Sequence, residues 1–145
     1  MPRTRRDRTL NASPEDVWRV AADPHHLPRW WPRVQRVEAV EASRWTVVFA
    51  TRKGKPVRAD YVLEADDPPR RRTWTQELAE SPFENLMDEA VTELSLEPEP
   101  RGTRVTLELR QQLRGLARLG WFMVARANRH LLDDALESLD RACAG

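Results

Sequence analysis

Hydrophobic positions along most of this chain recur in steps of two. RTRRDRTL, residues 3 to 10, reads as an extended first strand. VQRVEAVEA leads into RWTVVFAT, and KGKP marks a turn before VRADYVLEA, where Val57, Ala59, Tyr61, Leu63 and Ala65 fall on one side. After the turn DDPPR come RRTWTQELA, the long strand pattern PFENLMDEAVTELSLE, the turn EPRG and TRVTLELRQQL. In the last of these Val105, Leu107 and Leu109 face one way and Arg104, Thr106, Glu108 and Arg110 the other, the alternation of a half-buried strand.

Two regions break that period. In NASPEDVWRVAADP, Ser13 stands as helix N-cap, Pro14 takes the first helical position, and Glu15 and Asp16 sit where the helix dipole favours anions. Pro24 stops this helix, and PHHLPRWW follows as one or two helical turns closed by Pro32. Near the end, from about Leu116 to Ala142, Trp121, Ala125, Leu132, Leu136 and Leu139 keep helical spacing on one face. Arg126, Arg129, Asp133, Glu137 and Asp140 lie mostly opposite.

The resulting order is a strand, two short helices, six strands and one long helix. Short turns between consecutive strands imply an antiparallel sheet, and its apolar face needs a cover that only the terminal helix is long enough to provide. The expectation is therefore an α+β fold: a curved antiparallel seven-stranded sheet around a long C-terminal helix, forming a single ligand-binding domain over residues 1–145. A space between sheet and helix would be open at one end, with the two short helices as its lid. Trp30 and Trp31, adjacent and fenced by prolines, would then wall or close its mouth.

Several strings carry a resemblance at this point. ASPEDVWRVAADP, then PRWWPRV, DPPRR, SPF and GTRVTLEL before a long terminal helix resemble the START/birch-pollen-allergen (SRPBCC) superfamily. The nearest branch is that of bacterial polyketide cyclase/dehydrase-type proteins, and the similarity runs from about Thr9 to Ala142. It implies the helix-grip fold with an internal cavity for lipids, hormones, polyketides or other apolar ligands. It implies no single activity, since the fold hosts binding proteins, carriers and enzymes. The aromatase/cyclases that this chain resembles carry tryptophan, serine and arginine at alternate positions of one cavity strand. Here those places hold Arg58, Asp60, Val62 and Glu64, or, one residue along, Ala59, Tyr61, Leu63 and Ala65. Neither set matches, so no catalytic residue is carried over.

Charge and composition narrow the function classes. Lys+Arg 24 against Asp+Glu 23 leaves a net charge of +1, no global field for nucleic acid. Only Lys53 and Lys55 among the cations are lysines, a bias that points to a GC-rich bacterial genome. Cys143 is the lone cysteine, which excludes an internal disulfide and a cysteine-based metal site. No apolar run reaches the roughly 18 residues of a membrane span, and MPRTRRDR has no hydrophobic segment after its charges. A cytoplasmic protein is expected, with monomer and homodimer both open.

Candidate chemistry is sparse. His25 and His26 are adjacent and lack metal-ligand spacing, so they read as a solvated turn and no metal or other cofactor is expected. Asp66 with Asp67 and Asp133 with Asp134 sit where solvated charges belong, and the arginines at 3, 5, 6 and 8 and at 70 to 72 lack the interleaved aromatics of a nucleic-acid site. If Leu10 points inward, period two brings Arg6 and Arg8 to the same face, and Leu94 with Leu96 brings Asp88 inward. These are the candidate polar anchors. Such charges need each other, a ligand head group, or stems that snorkel to water, and the last reading is preferred. A bulge in the sixth strand would instead turn Asp88 outward. Which face of the first and fourth strands looks into the cavity stays open.

The aromatic and polarizable residues suggest the site itself. Trp30, Trp31, Phe49, Tyr61, Trp74, Phe83, Met87, Leu107, Trp121 and Met123 are candidates for an adaptable apolar pocket, or equally for a filled interior. Asn128, on the inner stripe of the last helix, needs a hydrogen-bond partner and is a candidate polar contact. The expected function is binding or carriage of a small apolar, lipid-like or polyketide-like ligand. The alternatives are a polyketide cyclase/dehydratase-type enzyme using inward Arg, Asp or Tyr61, and a protein-interaction module presenting the tryptophan pair.

Overall fold

The computed structural model describes residues 3 to 144. Strand β1 (Arg3–Leu10) precedes helix α1 (Pro14–Ala21), a 3-10 turn at Pro24–His26 and the one-turn helix α2 (Leu27–Trp30). Six strands follow: β2 (Val34–Glu38), β3 (Arg44–Ala50), β4 (Pro56–Asp67), β5 (Arg71–Glu77), β6 (Met87–Glu99) and β7 (Gly102–Leu113). A 3-10 segment, Gly115–Gly120, leads into α3 (Trp121–Ala144). All seven strands form one antiparallel sheet in the order β1-β7-β6-β5-β4-β3-β2. The sheet and the helix that it grips are the helix-grip architecture.

Local chemistry accounts for the helix starts. Ser13 Oγ accepts a hydrogen bond from the Asp16 amide at 3.2 Å, with Pro14 at the first helical position. Asp23 repeats the device, accepting from the His25 amide at 3.0 Å ahead of Pro24. Because β1 and β2 occupy opposite edges of the sheet, α1 and α2 make the crossing between them.

The inner face of the sheet is settled by its register. One row runs Leu63, Trp74, Thr92, Leu109, Thr4 across β4, β5, β6, β7 and β1, and the next row in carries Leu94, Leu107 and Arg6. Leu132, Ala135, Leu136 and Leu139 of α3 are fully buried against that face with Leu10, Val105 and Leu107. Their spacing is the apolar stripe of an amphipathic helix. On the outer face Glu108 is also buried, between Arg3 and Arg110 at 3.4 and 3.5 Å.

The stripe covers only the C-terminal half of α3, however. At 1.5 Å per residue this helix is about 36 Å long, and the sheet does not occupy all of it. Trp121 and Met123 are 58% and 65% exposed, against the expectation that Trp121 joins the inner stripe. The same half-length packing leaves room beneath the helix.

Candidate functional site

A cavity of about 510 Å³ lies at the end of the fold where α3 lifts away from the sheet. Its walls come from every layer: Trp31 and Pro32 after α2, Phe49 of β3, Tyr61 of β4, Met87 and Ala90 of β6, Leu109 of β7 and Leu131 of α3. Phe83 and Leu86 close one side from the loop before β6. That loop is pinned by turns, with the Met87 amide donating to the Phe83 carbonyl at 3.2 Å, and by the Arg114 amide donating to the Leu86 carbonyl at 2.8 Å. The inner end narrows to a gap of about 20 Å³ among Leu27, Val34, Trp45, Val47 and Trp74.

Aromatic rings build that inner end. Trp30 is buried and meets Trp31 edge to face at 5.4 Å between centroids, and Trp31 meets Trp74 in the same way at 6.5 Å. Trp45 stacks on Tyr61 at 6.2 Å, and the buried Arg72 guanidinium lies 5.5 Å from the centre of the Trp45 ring while pairing with Asp66 at 3.2 Å. The adjacent tryptophans thus divide by role: Trp30 is core, and Trp31 turns its face to the cavity.

Polar groups on the wall are few and uncharged, apart from Arg33 at the rim. Tyr61 and Gln76 are direct cross-strand partners on β4 and β5. Burial pushes the Tyr61 phenol well above its ordinary range, so it stays a neutral hydroxyl. The side-chain nitrogen of Gln76 is buried and has no hydrogen-bond partner. Across the cavity Gln111 has one, accepting from Asn128 Nδ2 at 2.9 Å. Asn128 therefore finds its partner in a cavity-wall amide.

The structure brings Trp31, Phe49, Tyr61, Phe83 and Met87 together on the cavity wall, with Trp74 at its inner end. Leu107 and Trp30 belong to the packed core. Trp121 lines a separate surface cleft with Asp88, and Met123 another with Asn128. Arg6 and Arg8 do share a face with Leu10, but their partners are Asp133 at 2.7 Å and Asp140 at 2.9 Å on α3 rather than Asp88 or the cavity. Asp88 is turned outward by a bulge between Met87 and Glu89 and lies 3.6 Å from Arg114. The extra residue lets both Met87 and Ala90 point inward.

Gln76, Gln111 and Thr92 were not singled out by the sequence. A single amide in an alternating strand has no signature until register shows which wall it faces. Among the described residues no three His, Cys, Asp or Glu side chains converge as a metal site, and no helix is long and apolar enough to cross a membrane.

The profile of the family described as polyketide cyclase/dehydrase and lipid transport matches residues 1–144. Solved structures share the fold. TTHA0849 from Thermus thermophilus is 26% identical with a TM-score of 0.77, covering 99% of this chain and 97% of that one. DR_A0006 from Deinococcus radiodurans is 23% identical with a TM-score of 0.69, over 97% and 95% of the two chains. The di-domain ARO/CYC BexL of the BE-7585A biosynthetic pathway is 24% identical with a TM-score of 0.79; the match covers 97% of this chain and 46% of BexL. No protein of curated function matches the chain.

Proposed function

The chain belongs to the polyketide cyclase/dehydrase and lipid transport family, and on that premise we propose that it binds a small apolar ligand in the cavity between sheet and α3. The ligand buries apolar surface against Trp31, Phe49, Phe83 and Met87, at about 25 cal/mol per Å². A cavity of about 510 Å³ suits a ring-containing or short lipid-like molecule.

The observation that carries this reading is Gln76. A buried amide N–H without a partner costs about 1–3 kcal/mol, and this one belongs to a side chain on an apolar cavity wall. With the amide turned toward the cavity, a ligand carbonyl, ether or hydroxyl oxygen would accept from it and remove that cost. The neutral Tyr61 hydroxyl, on the adjacent strand, offers a second contact to the same oxygen. Binding rather than catalysis is favoured because the cavity lining contains no Asp, Glu or His to exchange protons near neutral pH, and its one charged side chain, Arg33, is an arginine.

The test is a titration of the purified chain, stripped of bound lipid, with ring-containing and long-chain compounds that carry one oxygen acceptor, read by tryptophan emission. Trp31 and Trp74 border the cavity, so saturable quenching or a shift is expected for compounds that fit. Emission that ignores the whole panel contradicts the proposal.

A further inference from the structure

We infer that the segment Gly115–Met123, together with the basic rim beside it, is a docking face for a membrane surface that carries anionic lipids. The first observation is where the exposed apolar side chains are. Leu116, Leu119, Trp121, Phe122 and Met123 are 85%, 75%, 58%, 58% and 65% exposed. The one other large apolar side chain so exposed among the described residues is Leu86, at 49%, on the cavity wall. The chain's exposed hydrophobic surface is thus gathered on one short segment and on the cavity's own rim. Scattered single residues need no explanation, whereas a gathered patch marks a docking surface.

Charge chooses the occupant. Many arginines are paired with acids, as in Arg6–Asp133, Arg44–Glu77, Arg71–Glu93 and Arg104–Glu99. Arg33, Arg52, Arg118 and Arg126, which border the clefts beside the patch, have no acidic partner within 4.0 Å among the described residues. Arg33, Arg52, Arg126 and Met123 border one cleft, with Asp134 as its acid. Arg118 and Trp121 border another, with Asp88 as its acid, already facing Arg114. Positive charge without an acidic partner thus lies beside the emerging apolar side chains, although Arg5, Arg29, Arg101 and Arg129 have none among the described residues either. Leucine, tryptophan and phenylalanine flanked by arginine make the composition that lies in a bilayer interface, with rings at head-group level and guanidinium groups on lipid phosphates.

Helix chemistry supports the same conclusion. The first turn of α3 has no acidic residue, so no carboxylate there offsets Arg118 and Arg126 on either side of it. An anionic surface facing that end would meet no repelling carboxylate on that turn of the helix. Seated this way, the chain would present the cavity rim at Leu86 and Arg33 to the bilayer.

The docking does not depend on the ligand proposed above, so it is measured without one. The full chain is floated with vesicles of phosphatidylcholine alone and with vesicles that also contain phosphatidylglycerol. Association with the anionic vesicles only, weakened by salt, is expected. Each cation near the surface contributes about fivefold in partition, so Arg118→Glu with Arg126→Glu lowers association at least about 25-fold. Leu119→Ser with Phe122→Ser lowers it at least about tenfold. These side chains are exposed, and Arg118→Glu places a carboxylate near the N-terminus of α3, so both variants keep the parent melting temperature. Absence of vesicle binding, or binding unchanged in both variants, overturns the inference. So does a patch covered by a second copy: light scattering would then show a dimer that Leu119→Ser with Phe122→Ser converts to monomer. Ligand occupancy, read separately by tryptophan emission, tells failure here from failure of the cavity reading.

Discussion

Replacing Gln76 by leucine should make the ligand-free protein more stable and the ligand weaker, a pair of signs that few other accounts of this residue share. The Gln76 side-chain nitrogen is buried without a partner, while its stem packs on the cavity wall opposite Tyr61. Leucine has a similar volume and no polar group, so the change removes a penalty of about 1–3 kcal/mol and adds no void. Allowing for imperfect packing of the branched side chain, a net gain of about 1–2 kcal/mol is expected, a rise of roughly 3–7 °C in melting temperature for a chain of this size. Ligand affinity should fall about fivefold, the net worth of one neutral hydrogen bond. Gln111 supplies the control within the same cavity. Its oxygen accepts from Asn128 at 2.9 Å, so Gln111→Leu strands the Asn128 amide and should lower stability by about 1 kcal/mol or more. Differential scanning calorimetry of both variants, with a tryptophan-emission titration of each, gives all four numbers. A Gln76→Leu protein that melts below the parent, or binds ligand unchanged, refutes the reasoning.

The other predictions concern the frame of the site. Arg8→Ala should cost less than about 1 kcal/mol in urea denaturation and leave ligand binding unchanged, because its pair with Asp140 is largely exposed and lies off the cavity wall; loss of binding would make it the anchor that its position on β1 suggested. Gly102→Ala should destabilise the fold by at least about 2 kcal/mol, since a Cβ there would meet the Leu10 carbonyl oxygen at 2.0 Å, a backbone atom that cannot swing aside; an unchanged melting curve contradicts this. Tyr61 is the sole tyrosine, so phenolate absorbance reports it alone. Burial raises its folded-state pKa above the unfolded value near 10. The folded state therefore holds the proton more tightly, and stability is unaffected below about pH 10 and falls as pH rises beyond it. Absorbance that titrates at the ordinary value while circular dichroism stays native would show the ring open to water.

Much of the frame was legible in the sequence because it rests on local rules. Ser13 and Pro14 cap α1 as their types dictate, and the period-two segments became β3, β4, β5 and β7 nearly in place. The SRPBCC resemblance, carried by motif order, agrees with the family profile. What escaped is set by tertiary geometry. Helical spacing continues through Trp121, but that half of α3 has no sheet beneath it, so the same periodicity yields exposed residues at one end and core at Leu132 and Leu136. Strict alternation places Asp88 inward, and one bulged residue reverses it. Arg72, in a run that reads only as a weak nucleic-acid patch, stacks on Trp45 in the interior because Asp66 is within reach across the β4–β5 pair. Gln76 has no distinguishing neighbour in sequence, and its importance lies in what it fails to contact.

The most direct measurement of the central claim is native mass spectrometry of the full chain beside an Ala90→Phe variant. Ala90 is buried on the cavity wall, so the larger ring projects into the space a ligand would occupy while the outer faces of the fold are untouched. The account predicts a one-to-one apolar adduct on the parent chain, acquired in the cell or from the titration panel, and its loss in the folded variant. A parent chain that stays bare against the whole panel, or an adduct that persists when the cavity is filled, would contradict it.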